Sequence, residues 1–302
     1  MNTNKIAGIV YALLAAIFNG TVGVLSVKLF QTGLSPAQVA FYKCLIGLAI
    51  IFVIIMSSAR RAALFHFIKS HWHVVLICSF FGFFMLYHFE TSAYSTTNVA
   101  TVVFMLFGTA TVFSFMLSAI AEKRLFSWKE IQAITLSIVG LYLIFSDESG
   151  IELTFTVGLI NAMLAGIGYG LFLFLSKKLK LGAGMPQMCT LLLFGSIYLY
   201  FPVHSSSLAA SVTVEMAVML LLLAILPTIG GFWCTTKALT LTSSQSVQLI
   251  ELSEPVFAIL FSAIFLGQLS SPVQYIGGAL IFLAILLHEF SPSRFSLKKA
   301  RY

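Results

Sequence analysis

Four ionisable side chains stand inside long apolar runs: Lys43, Glu90, Glu251 and Glu254. A charge at the centre of a bilayer costs about 2.5–3.5 kcal/mol on insertion scales, so such residues are functional by default. Glu251 and Glu254 lie one helical turn apart and share a face. Two carboxyls that close in a low dielectric do not both stay ionised, which makes the pair a candidate proton site or an anchor for an amine. Pro255 follows and removes the donor that the Glu251 carbonyl would use, weakening the helix at that point. Glu254-Pro255 also reads as an architectural step, so Glu251 ranks first. Two roles stay open for Lys43: a salt bridge to one of the glutamates, or charge-assisted donation to a ligand carboxylate. Glu90, close to His88, lies toward the end of its run and reads as a water-facing boundary charge. Tyr11, Asn19, Tyr42, Tyr87, Asn161, Tyr169, Trp233, Gln245 and Gln248 are candidates for lining a cavity, although most aromatic residues in such a chain pack.

Other chemistries lack their residues. No GxSxG or HExxH pattern occurs, no apolar run contains an aspartate, and no Gly-rich nucleotide loop is present. An enzyme or an ATP-driven pump is therefore not expected. Cys44, Cys78, Cys189 and Cys234 sit in apolar segments without CxxC spacing and read as small buried hydrophobes. The His71-Trp72-His73 run has no acidic or cysteine neighbour to complete a metal site. No metal and no cofactor is expected.

The elements that must position these residues follow from composition. Apolar residues make up 59% of the 302, and charged residues only 9%. A soluble domain needs about a quarter charged, so the outer surface must face lipid. Ten segments approach the roughly 20 apolar residues of a span: 6–27, 37–56, 74–94, 98–121, 128–146, 155–176, 184–203, 212–236, 244–266 and 272–289. The formal charge of +7 sits in short clusters between these runs, not on one face, which argues against nucleic acid. With a cytoplasmic N-terminus, fifteen of the 17 Lys and Arg fall on the inner side, Lys28 alone falls outside, and Lys43 is within a span. The acidic loop Asp147, Glu148, Glu152 then lies outside. The positive-inside rule thus places both termini in the cytoplasm and makes the helix count even. The first run is too long for a signal-peptide core and reads as a retained helix.

The chain also repeats itself. At an offset of 150, Gly8, Ala12, Ala15, Gly20, Ser26 and Lys28 meet Gly158, Ala162, Ala165, Gly170, Ser176 and Lys178. At an offset of 144, Val112-Phe113 and Ser118-Ala119-Ile120 meet Val256-Phe257 and Ser262-Ala263-Ile264. The expected organisation is a first five-helix repeat over 1–146, an acidic connecting loop over 147–154, and a second five-helix repeat over 155–302 with a short basic tail. Five is odd, so the second copy enters from the opposite side. Inverted repeats offer two pseudo-symmetric packings of one bundle, which is the geometry of alternating access. Ala12, Ala16, Gly20 and Ala162, Gly166, Gly170 recur at four-residue spacing and suit close helix packing, with a rocking contact as the functional version. The alignment sets Glu251 against Phe107 and Lys43 against Leu193, so the charged set is asymmetric on a duplicated frame.

The segments SEPVFAIL (253–260) and SAIFLGQLSSPVQYIGGALIFLAILL (262–287), with SAIAEKRLFSWKEIQAITLSIVGLYLI (118–144) in the first copy, resemble the ends of EamA-type domains of the drug/metabolite transporter superfamily. The chain departs from that pattern at Gln268, where the family boundary usually has an acid, at Asn19 and at Lys43. The resemblance implies an all-α integral membrane protein, ten transmembrane helices as two inverted five-helix repeats. It implies a secondary carrier of a small metabolite in a bacterial inner membrane, as a monomer or weak dimer. An amino acid or related amphiphilic or zwitterionic compound is one candidate, and a sugar, nucleotide-like metabolite or drug another. Protons are the candidate coupling ion. A channel or intramembrane enzyme is the alternative class. The residues expected to bind substrate or couple its movement are Glu251, Glu254, Lys43, Asn19, Tyr169, Trp233, Gln248, Tyr42 and Glu90.

Overall fold

The computed structural model describes residues 3–57, 61–97, 99–146, 156–203, 213–257 and 271–289. The acidic loop Asp147, Glu148, Glu152, the boundary residue Gln268 and the basic tail lie outside them. The described residues form helices and no strand. In chain order the long apolar elements are α1 in two pieces (Thr3–Asn19 and Val22–Gln31), α2 (Pro36–Met56), α3 (Arg61–Tyr94), α4 (Val99–Ala121) and α5 (Trp128–Phe145). The second half holds α6 (Val157–Lys178), α7 (Met185–Val203), α8 (Val214–Leu241), α9 beginning as Ser244–Glu251, and α10 (Pro272–Glu289). The main departure from expectation is α3, which begins at Arg61 instead of 74, so the His71-Trp72-His73 run lies within a continuous helix.

Capping chemistry repeats between the halves. Ser127 accepts from the Glu130 amide at the start of α5 while Glu130 accepts from the Ser127 amide. Ser271 and Gln274 close the same box on α10. These reciprocal bonds satisfy orphan donors at the helix start. In the loop before α5, Arg124 forks onto Glu130 at 2.6 and 2.7 Å. That pairing, joined by Glu122, holds the guanidinium above its ordinary range.

Burial gives the repeat its register. The α1/α6 offset of 150 stands: Gly8, Ala12, Ala15 and Ala16 are buried, as are Gly158, Ala162, Ala165 and Gly166. In α2/α7 the outward pair Leu45 and Leu193 and the buried pairs Ile51/Leu199 and Ile55/Val203 set an offset of 148. This corrects the sequence alignment of Lys43: its counterpart is the buried Leu191, not Leu193, which is 38% exposed. Apolar identity alone could not detect that slip, because leucine occupies 191, 192 and 193 alike. In α3/α8 the offset is 145, which pairs Tyr87 with Phe232 and Glu90 with Thr235.

Packing between halves follows the same pseudo-twofold. α1 lies on α8 as α6 lies on α3, while α2 with α7 and α5 with α10 form the self-paired contacts. At the α5–α10 crossing, a Cβ on Gly140 would stand 2.7 Å from the Gly277 carbonyl, and one on Gly277 2.6 Å from the Gly140 carbonyl. Only hydrogen side chains let the two backbones approach this closely, as small residues do in lipid. The Ala162/Gly166/Gly170 stripe does equivalent packing work, with Gly166 and Gly170 against the α4 backbone at Leu106 and Ala110.

Besides α9, three helices lose regularity at mid-length among the described residues. α1 breaks at Gly20-Thr21, where the Thr21 hydroxyl turns back to the Phe18 carbonyl at 2.8 Å. α3 and α8 widen into π-helical segments, Phe80–His88 and Ala224–Gly231. In α8 the cause is visible: Pro227 has no N–H to give, and the Thr228 hydroxyl takes the Leu223 carbonyl at 2.8 Å. π-turns of this kind occur frequently at functional sites.

Candidate functional site

The irregular segments converge on a small central cavity of about 40 Å³. Its walls include Asn19 and Val22 at the α1 break, Leu86, Tyr87 and Glu90 of α3, Leu106 and Phe107 of α4, Tyr169 of α6, Pro227 and Phe232 of α8, and Glu254 of α9. Both halves contribute in matched pairs. Asn19 and Tyr169 are counterparts at an offset of 150, and Tyr87 and Phe232 at 145. Asn19 reaches its place because position 231 is glycine: a Cβ there would collide with the Asn19 amide oxygen.

Lys43 sits behind the wall, 1% exposed. Its ammonium is 3.9 Å from the Glu90 carboxylate and 3.7 Å from the centre of the Tyr87 ring. The Tyr94 hydroxyl is a further hydrogen-bonding neighbour of Glu90. Glu90 is only 8% exposed, so the expectation of a water-facing boundary charge is wrong. Its distance from the helix end misled: the wall of an internal cavity reaches that depth. Of the two readings left open for Lys43, the structure contains the salt bridge.

α9 breaks where Pro255 weakens it. The first piece ends at Glu251, Leu252 and Ser253 form a turn, and helix resumes at Glu254. The Ser253 amide and hydroxyl both return to the Ile250 carbonyl, at 3.0 and 2.7 Å. The break separates two carboxylates that an unbroken helix would hold on one face. Glu251 is fully buried and accepts from the Tyr169 hydroxyl and, at 2.6 Å, from the Thr235 hydroxyl. Glu254 is half-buried, opens onto the cavity, and has no hydrogen-bond or ion-pair partner among the described residues. The charges of Glu90 and Glu251 lie within its electrostatic reach.

The remaining candidates scatter. Gln248 is buried and donates to the Thr111 hydroxyl at 3.3 Å, away from the cavity wall. Trp233 packs edge-on to Tyr11 at 5.7 Å. Tyr42 packs against a satellite apolar cluster of α1, α2 and α8, so the structure does not bring it to the cavity. Thr235, Phe107 and Phe232 escaped the sequence-based candidate set. Phe107 was visible as the repeat counterpart of Glu251, and Thr235 would have emerged from an α3/α8 register of 145.

A ten-helix, two-repeat bundle around a polar cavity is the frame of a membrane transporter. Residues 6–146 and 156–289 each match the EamA-like transporter family, and the chain belongs to that family. It is 23% identical over 287 residues to the uncharacterized transporter YwfM of Bacillus subtilis (strain 168), covering 94% of both chains. It is also 23% identical to an uncharacterized transporter of Clostridium kluyveri, over 94% of this chain and 93% of that one. One solved crystal structure shares the fold with a TM-score of 0.76 at 14% identity, over 93% of this chain and 96% of its own.

Proposed function

We propose that this transporter is a secondary carrier that moves a small amphiphilic metabolite by alternating access, with Glu251 as its proton-coupling group. The supporting observation is a cavity walled by both halves, next to a fully buried carboxylate held by two neutral hydroxyls. A carboxylate with neutral donors and no cation is the arrangement in which a proton can come and go. Neither Tyr169 nor Thr235 supplies a permanent charge to oppose protonation. Tyr169 also faces the cavity, so it links the proton site to any occupant. An amino acid remains within the class, but its carboxylate would have to draw Lys43 away from Glu90. The charge distribution of the sequence supports cytoplasmic termini, and bacterial relatives support a bacterial inner membrane.

Glu251→Gln in proteoliposomes tests the reading. Uptake driven by a pH gradient should be lost while substrate counterflow, which needs no net proton movement, continues. Unchanged pH dependence removes Glu251 from coupling and favours simple exchange. Unitary voltage-driven currents would make the protein a channel.

A further inference from the structure

Charge accounting around the cavity restricts what can enter it. Among the described residues Lys43 is the one cationic side chain at the site, and Glu90 and the Tyr87 ring already engage it. Glu251 has its two hydroxyl donors. Among the described residues Glu254 has none, although a carboxylate removed from bulk water is expensive to leave uncompensated. A second group is also left over. The Tyr87 hydroxyl is on a residue only 4% exposed that lines the same cavity, and it makes no hydrogen bond of normal geometry. It lies beside Thr228, whose own proton goes to the Leu223 carbonyl. Buried polar atoms without partners are uncommon and call for an explanation.

We propose that the cavity binds a small organic ammonium ion with an apolar or aromatic body, its nitrogen between the Glu254 carboxylate and the Tyr87 hydroxyl oxygen. This rests on the cavity being the transport site. An ammonium carries donors for both leftover acceptors, and its charge balances Glu254. The body meets Val22, Leu86, Leu106, Phe107, Pro227 and Phe232, which are apolar. A carboxylate ligand would instead face two wall glutamates, Glu90 and Glu254, with Lys43 already paired. A sugar would press hydroxyls against the apolar side chains that make up six of the eleven wall residues.

The test uses the full-length protein in detergent and in proteoliposomes, with 2-phenylethylamine and tetraethylammonium as cationic probes, 3-phenylpropionate as the anion and 2-phenylethanol as the neutral match. 2-Phenylethylamine should raise the thermal midpoint and drive saturable counterflow, whereas phenylpropionate and phenylethanol should do neither. Tetraethylammonium, which has the charge but no N–H, should bind more weakly. Glu254→Gln should weaken amine binding about ten- to a hundredfold, the range for a lost hydrogen bond to a charged group. Tyr87→Phe should weaken it about three- to tenfold. Glu254→Asp keeps the charge if the glutamine variant folds poorly, and should retain amine selectivity. Preference for the anion, absence of amine binding, or full binding by Glu254→Gln overturns the proposal. Counterflow of an anionic or neutral solute without amine binding overturns it while the carrier reading survives. Amine binding with unitary currents and no counterflow supports the binding site and removes the carrier reading instead.

Discussion

The two halves of the bundle share a frame and differ in chemistry at the same pseudo-symmetric points. Lys43 in α2 corresponds to Leu191 in α7, Glu90 in α3 to Thr235 in α8, and Tyr87 to Phe232. Glu251 in the broken α9 corresponds to Phe107 in the continuous α4. α1 is interrupted beside Asn19, whereas α6 runs unbroken past Tyr169. Duplication thus supplies the walls, and divergence supplies the polarity. Glu90 keeps a cation from the first half, while Thr235 serves Glu251 of the second. Two copies that had stayed chemically identical would face each other with matched residues and would lack this division between a paired carboxylate and an unpaired one.

Making one half copy the other is the most disruptive test. Lys43→Leu reproduces Leu191 and strands Glu90, which should lower stability by about 3–5 kcal/mol in thermal or denaturant unfolding. Adding Glu90→Thr, the counterpart of Thr235, should restore most of that loss. No rescue in the double variant would show that the two side chains are not coupled. At the self-paired axis, Gly140→Val places a side chain against the Gly277 carbonyl and should cost at least about 1–3 kcal/mol. An unchanged thermal midpoint there would contradict the close α5–α10 crossing.

A finer comparison separates neighbouring threonines of α8. Thr235→Val removes a donor from the buried Glu251 carboxylate and should cost about 1–3 kcal/mol. Thr236→Val, also at a buried position, removes only a bond to the carbonyl of Trp233 in the same helix and should cost less, about 0.5–1 kcal/mol. Equal losses would mean that the Thr235–Glu251 bond carries no special weight. The smallest effect is expected at Gly108, where an added Cβ meets nothing within 4 Å. Gly108→Ala should leave the stability measured by unfolding unchanged or raise it by up to about 1 kcal/mol, the helix preference of alanine over glycine.

Lipid as solvent explains why so much was legible from the residues in order. A bilayer demands long apolar helices and punishes misplaced charge, so segment number, repeat and the identity of the buried ionisable residues all follow from composition and spacing. Pro255 announces the α9 break because a missing N–H is a local property of the chain. Glu90 could not be placed the same way. Its depth relative to water depends on where the cavity lies, and the cavity is made by α1, α3, α4, α6, α8 and α9 together. The Lys43–Leu193 alignment failed for a related reason. A slip of two residues turns a helix by more than half a revolution, and a run of leucines carries no mark of which one faces inward.

The sequence alone therefore determined an all-helical, twice-repeated membrane protein with Lys43, Glu90, Glu251 and Glu254 inside it, because hydrophobicity and periodicity are additive along the chain. Tertiary structure decided the pairing: Glu90 with Lys43, Glu251 with Tyr169 and Thr235, and Glu254 with no partner among the described residues. Partners separated by up to 82 residues meet only when crossing angles and helix breaks are set. Those depend on packing across the whole bundle, which no local window of sequence contains.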